Sequence, residues 1–312
     1  MTVKKLKTHP IFPALPLVKG DLVEVVSPGS RTTPEVEEIG LRALNKWGLV
    51  PRVWSDPTIK FHPFHASDDQ FRFFALKSAL TNKDSKIVWC ERGGYGSIRL
   101  LEELRRLKKP KQMKIFLGFS DITSLHLFMT QEWGWKTLHA PVVASFAQKT
   151  LLKKDLLELK NFLFNTDSKK FKAKLIPMNL RALNQKSPLK GKLTGGNLAV
   201  IQTTLGTKLH IKTRDKILFL EDVGERGYRL DRMFSHLKEA GVFKDVKAVI
   251  LGEFSEGSEP SGENFVQYAL QRFSSECAVP VFSCKEFGHG KRNRFLVMNH
   301  DYQIKQNTLN ML

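Results

Sequence analysis

Residues 113 to 124, MKIFLGFSDITS, pass from an apolar strand-type run through Gly118-Phe119-Ser120-Asp121 into a helical apolar pattern with no loop residues between them. A strand that turns directly into a helix is the start of a βα unit, and repeated units of this kind assemble into a mostly parallel sheet flanked by helices. The alternation recurs along the chain. Leu22 to Val26 is turned by Ser27-Pro28-Gly29-Ser30, and Thr32, Pro34 and Glu35 then open a helical pattern that Gly48 stops. A helix over 69–80, a strand over 86–90, a glycine loop at 92–96, a helix over 97–107 and a strand over 137–143 follow. The expected fold is α/β, with an N-terminal, mostly parallel sheet domain over 1–147 joined to a smaller C-terminal α/β domain over 191–312. Residues 148–190, lysine-rich and glycine-poor, with one helix near 155–164, read as the connection. In the second half, strands are expected at 217–220, 248–252 and 279–283, and helices at 231–240 and 263–273.

A strand-to-helix corner lifts its central side chain out of the fold and aims the free N–H groups of the helix start at whatever binds there. Ser120 therefore stands where a serine nucleophile would stand, although Ser-Asp also begins helices that carry no chemistry. Arg92-Gly93-Gly94-Tyr95-Gly96 follows a strand, so it is either a tight turn or a backbone cradle for an anion. It is neither a dinucleotide fingerprint nor a Walker loop. In a parallel sheet this loop and the Ser120 corner share the carboxyl ends of the strands, where such folds bind ligands. Glu221, Asp222 and Glu225 crowd the end of the apolar strand after Lys216. They are solvated loop acids unless a histidine joins them, and Glu221, first after the apolar run, is the one held most rigidly. Of nine histidines, His289 in Phe287-Gly288-His289-Gly290 is the best base by context, because flanking glycines let it approach closely. His126 lies on the wrong face of its helix, and His139 sits near a strand end where it lines a cleft.

The net charge of +19 brings nucleic acid, anionic surfaces and acidic substrates into consideration. The excess is spread over short lysine runs, and no aromatic and basic stripe accompanies it, so nucleic acid is not the expected partner. Three cysteines without metal or redox spacing fit reduced thiols in the cytoplasm. No metal or cofactor motif is present. The start of the chain imitates a secretion signal, but Pro13 and Pro16 break its apolar run and no run is long enough to span a bilayer.

Taken in order, these segments resemble the LD-carboxypeptidases, a family of serine peptidases that includes murein tetrapeptide carboxypeptidases and relatives conferring microcin C immunity. The landmarks are Val26-Ser27-Pro28-Gly29-Ser30, the Arg92 to Gly96 loop, Gly118-Phe119-Ser120-Asp121-Ile122-Thr123, Thr194-Gly195-Gly196-Asn197-Leu198, Leu220-Glu221-Asp222, Tyr228 to Met233, Leu251-Gly252-Glu253-Phe254 and Gly288-His289-Gly290. The resemblance implies a triad of Ser120, Glu221 and His289 divided between the domains. It implies backbone oxyanion donors at Asp121 and Gly94, and substrate contacts at Arg92, Gly93, Tyr95, His139, Asn197 and Arg232. It further implies release of terminal D-alanine from diaminopimelate-containing muropeptides, no cofactor, a cytoplasmic location and a homodimer. A peptidyl-nucleotide amidase of the microcin C type is the alternative within the family. The short span from Ser120 to Glu221 leaves no room for the extra loop of those relatives. A noncatalytic nucleic-acid or peptidoglycan binder is the alternative outside it. Two departures stand out: Glu91 before the arginine-glycine loop, where it would repel a substrate carboxylate if it faced inward, and Ala140 in place of the usual glycine after His139, where its methyl would reshape the cleft.

Overall fold

The structure is a computed structural model that describes residues 11–55, 62–149, 151–164 and 171–312. The N-terminal half runs β1 (Leu22–Val26), α1 (Pro34–Lys46), β2 (Val50–Val53), α2 (Asp69–Thr81), β3 (Ser85–Cys90), α3 (Leu101–Arg106), β4 (Ile115–Gly118), α4 (Thr123–Gln131) and β5 (Thr137–His139). Next come α5 (Lys153–Phe164), β6 (Lys172–Lys174), β7 (Ile176–Pro177), α6 (Leu180–Leu183), β8 (Leu189–Asn197) and α7 (Leu198–Thr204). The chain continues with β9 (Ile217–Val223), α8 (Gly227–Glu239), β10 (Ala248–Ser255), α9 (Val266–Glu276) and β11 (Val281–Ser283), then closes with β12 (Leu296–Met298), β13 (Asp301–Lys305) and β14 (Thr308–Met311).

Two sheets result. The six-stranded sheet has the order β12-β5-β4-β3-β1-β2, and every pair is parallel except β12 with β5. The eight-stranded sheet has the order β6-β14-β13-β8-β9-β10-β11-β7, with β8 to β11 parallel and the outer strands antiparallel. The strands β1, β3, β4, β9 and β10 are apolar because helices or the other half cover both their faces.

The halves are more entangled than the sequence suggests. Strand β12, far along the C-terminal half, completes the N-terminal sheet by pairing with β5. Residues 148–190 hold the expected helix as α5, but beyond it they add two edge strands, β6 and β7, to the eight-stranded sheet instead of an irregular crossing. Both apolar clusters run through both halves: Leu125, Leu198 and Leu218 belong to one, Leu117, Phe219 and Val297 to the other. Of the leader-like start, residues 1–10 lie outside the described residues, while Ile11, Phe12, Leu15 and Leu17 are buried in that second cluster. The strand expected over 137–143 stops at His139, and residues 143–147 form a tight helical turn packed against α1. No helix among the described residues is long and apolar enough to cross a membrane.

Candidate active site

Strand β4 ends at Gly118, Phe119 stays extended, and Ser120 turns with φ of +64°. A left-handed conformation costs a residue with a Cβ roughly 1–2 kcal/mol, so the fold holds this serine in a backbone state it would not choose. Several contacts enforce the corner. Asp121 Oδ2 accepts from the Ser97 N–H at 2.9 Å, and Ser97 Oγ donates to the Asp121 carbonyl at 2.7 Å. His126, buried on α4, bonds the Gly118 carbonyl and Thr137 Oγ1, both at 2.8 Å, which ties β4 to β5. Burial pushes its pKa down to about 3, so it is a neutral structural histidine.

The glycine loop lies against this corner. A Cβ on Gly93 would stand 2.7 Å from Ser120 Cβ and 3.0 Å from Oγ, so only glycine leaves room for the serine side chain. The Gly93 carbonyl accepts from the Ser30 N–H at 2.9 Å. Because the peptide is trans, the Gly94 N–H points the opposite way, free of that turn. Neither the Gly94 nor the Asp121 N–H meets a protein acceptor among the described residues. From beneath, the buried Arg72 of α2 clamps the loops by donating to the carbonyls of Pro28 and Gly96, and it pairs with Asp69.

From the other half, β9 carries Glu221, which is 0% exposed. Its Oε2 accepts from His289 Nδ1 at 2.6 Å. Gly288, with φ of +113°, makes this approach feasible, since a Cβ there would stand 2.9 Å from Oε2. Burial works against ionising Glu221, but the attraction of His289 and the nearby His139 outweighs it and holds the carboxyl at about 2. Burial likewise opposes a charge on His289, and Glu221 overcomes it, raising the imidazole pKa. The ring packs on Phe119 at 4.6 Å between centroids. His289 and Ser120 line one cleft of about 590 Å³, together with Arg92, Gly93, Gly94 and Val223. Ser120 Oγ has no hydrogen-bond partner among the described residues, so it is open to a ligand.

Residues 23–140 match the LD-carboxypeptidase N-terminal domain, and residues 190–304 match the LD-carboxypeptidase C-terminal domain. The chain belongs to the LD-carboxypeptidase family. A putative carboxypeptidase of Rickettsia conorii is 42% identical over 242 residues, covering 78% of this chain and 75% of the relative. A probable murein peptide carboxypeptidase of Bacillus subtilis is 32% identical over 238 residues, covering 76% and 73%. Among solved structures, the muramoyltetrapeptide carboxypeptidase of Oxalobacter formigenes superposes with a TM-score of 0.78 at 26% identity over 93% of this chain and 98% of that one. A microcin C7 self-immunity protein shares the fold, with a TM-score of 0.80 at 20% identity over 97% and 98%.

In this member of the family the residues singled out from the sequence divide into two groups. Ser120, His289, Arg92, Gly93 and Gly94 line the cleft, and Asp121 and Glu221 stand directly behind it. Tyr95 is exposed beside it and packs on His65 at 5.4 Å. Three expected substrate contacts are placed elsewhere. His139 is wholly buried behind Glu221. Asn197 is buried too: its side chain accepts from the Val200 N–H to cap α7 and donates to Asp222, and its N–H donates to Thr123 Oγ1 at 3.0 Å across the two halves. Arg232 is exposed on α8 over the Tyr228 ring. Both departures from the family pattern turn away from the cleft. Glu91 is buried and accepts from Ser27 Oγ and the Thr32 N–H, and the Ala140 methyl is buried in the core, so neither lines the cleft.

Sequence reasoning missed Arg72 and the anchoring of the His289 loop. Arg292 pairs with Asp155 at 2.9 Å and Glu286 at 2.8 Å, while Arg294 pairs with Glu286 at 2.6 Å and Glu158 at 2.5 Å. The expected connector, through α5, thus fixes the segment that carries His289. Its only trace in the sequence is the Arg292-Asn293-Arg294 spacing, which names no partner.

Proposed function

We propose that the protein is a serine LD-carboxypeptidase that removes terminal D-alanine from diaminopimelate-containing murein tetrapeptides during peptidoglycan recycling in the cytoplasm, as a homodimer. Membership of the family supports hydrolysis. The observation that carries the mechanism is the 2.6 Å bond between His289 Nδ1 and the buried Glu221, on a ring that shares its cleft with Ser120. With Nδ1 held by Glu221, Nε2 is left to accept the Ser120 proton as Oγ attacks the amide carbonyl. Glu221 stays ionised and stabilises the imidazolium that forms.

The Asp121 and Gly94 N–H groups serve the oxyanion, and each donor of this kind contributes about 3 kcal/mol at the transition state. Protonated His289 then delivers its proton to the leaving D-amino acid, and water, activated by the same ring, cleaves the acyl-enzyme. Arg92, exposed at the cleft, is the cation available to the free terminal carboxylate of the substrate.

Mass spectrometry of a diaminopimelate tetrapeptide, alongside a peptidyl nucleotide, tests the assignment. Loss of terminal D-alanine from the first is expected, with Ser120→Ala and His289→Ala each nearly inactive and still folded. Cleavage of the peptidyl nucleotide alone would replace the substrate, and intact peptides with tight nucleic-acid binding would replace the enzyme reading.

A further inference from the structure

We propose that His139 is a positioning residue of the triad, directing its Nε2–H at Glu221 Oε1 so that Oε2 stays aimed at His289. The inference rests on the triad reading above and extends it to a fourth side chain.

The geometry isolates these two groups together. Glu221 and His139 are both 0% exposed. Glu221 Oε2 is bonded to His289, but Oε1 has no hydrogen-bond partner, and neither ring nitrogen of His139 has one. The two orphaned atoms face each other, with Nε2 3.9 Å from Oε1. Buried polar atoms are nearly always paired, and the rest of the pocket offers no substitute. The His139 ring packs on Phe219 at 5.1 Å, on Phe119 at 5.8 Å and on His126 at 6.5 Å. His126 is already committed through both of its nitrogens. His289 and His139 are the basic side chains that approach the carboxylate among the described residues, and Asp222 is its acidic neighbour on the strand.

A positioning role follows from the softness of the glutamate itself. The terminal torsion of a glutamate is broad and roughly twofold, so one hydrogen bond to Oε2 does not fix the plane of the carboxylate. At 3.9 Å the His139 contact is longer than a hydrogen bond, and a movement of about 1 Å closes it. As His289 gains the Ser120 proton, the carboxylate that answers this charge is then gripped at both oxygens. His139 touches neither substrate nor reacting atoms, so its effect reaches the reaction only through Glu221. That predicts a change in kcat with little change in KM.

The test compares three substitutions at His139. Gln carries an amide N–H to about where Nε2 stands, Met fills similar volume without a donor, and Asn carries a donor too short to reach Glu221. With the tetrapeptide as substrate, His139→Met and His139→Asn are expected to lower kcat about tenfold to a hundredfold, the range for residues that orient an active group, with KM nearly unchanged. His139→Gln is expected to keep most of the wild-type kcat. In proton NMR, the low-field resonance of the His289 Nδ1–H should persist in the Gln variant and broaden or move in the Met and Asn variants; Glu221→Gln identifies the signal by abolishing it. If Met prevents folding, as circular dichroism would show, the Asn and Gln pair decides. Wild-type kcat in the Asn variant, or equal losses in Asn and Gln, would overturn the proposal. Activity retained in Ser120→Ala would instead overturn the triad reading, so the two failures are distinct.

Discussion

Replacing Glu221 by Gln preserves the shape of a side chain with no exposure and removes its charge, and the size of the loss can be worked from the site. The carboxyl is held at about 2 against an ordinary 4.5, although burial opposes this. That depression corresponds to about 3 kcal/mol of preference for the charged form beside its histidines. Losing it from the transition state, where His289 is an imidazolium, lowers kcat about a hundredfold. A further loss comes from the amide, which can present its NH2 to Nδ1 and force the proton onto Nε2, the atom that must accept from Ser120. The combined effect approaches about ten-thousandfold, as when the carboxylate of a serine triad is made an amide. Two pH signatures accompany it. Because Glu221 raises the His289 pKa, the acid limb of kcat/KM should lie above 6.5 in the wild type and move down in the variant. A depressed carboxyl pKa contributes stability that is full above 4.5 and lost as pH falls toward about 2, so the stability gap between wild type and variant should close over that window. Release of D-alanine, followed by chromatography across pH, measures the kinetic terms, and urea unfolding measures the gap. A Gln variant within threefold of wild type, or an acid limb that stays in place, refutes the reasoning.

Gly93→Ala should abolish activity in a folded protein, because its methyl would meet Ser120 Cβ at 2.7 Å and Oγ at 3.0 Å; normal turnover would show that the loop yields. Ser120→Gly and Ser120→Ala should both be inactive, yet Gly should be the more stable by about 1 kcal/mol in urea unfolding, since only glycine accepts φ of +64° without strain. Equal stabilities would mean the corner relaxes when the hydroxyl is removed. Thr123→Val removes the acceptor that Thr123 Oγ1 offers the buried Asn197 N–H at 3.0 Å and should cost about 1–3 kcal/mol. Unfolding should remain a single transition because the apolar clusters cross both halves. An unchanged urea midpoint would show that the N–H finds another partner.

What was legible in the sequence, and what was not, follows one physical division. The Ser120 corner could be read because an apolar strand pattern meets a helical one with no residues to spare, and the geometry of such a turn is local. The approach of His289 could be read because glycines flank it, and Gly288 indeed leaves room for the Glu221 carboxylate. His139 could not be placed, because a histidine beside a strand end looks the same whether it faces solvent or the back of a buried glutamate. Asn197 is similar: the resemblance implied a substrate contact, and the structure instead engages it in capping α7, in a bond to Asp222 and in a backbone donation to Thr123 Oγ1 across the halves, none of which its sequence neighbours announce. Strand β12 leaves no signal in the sequence, since three apolar residues carry no period and its partner β5 lies in the other half.

The expected interdomain connection shows why the site should be regarded as one built object rather than two docked halves. Asp155 and Glu158 on α5 hold Arg292 and Arg294, immediately beyond His289, and the Asn293 N–H donates to Asp155 Oδ2 at 3.1 Å. Only a few residues farther, β12 locks into the sheet whose strand β4 leads into the Ser120 corner. The loop bearing His289 is therefore held at one end against β9 through Glu221 and at the other by α5 and the N-terminal sheet. A base so fixed has little freedom to drift from the serine, whose own backbone is strained into place. The burial of Glu221 makes the same demand, because an ionised carboxylate without solvent is tolerable only while its partners keep their positions.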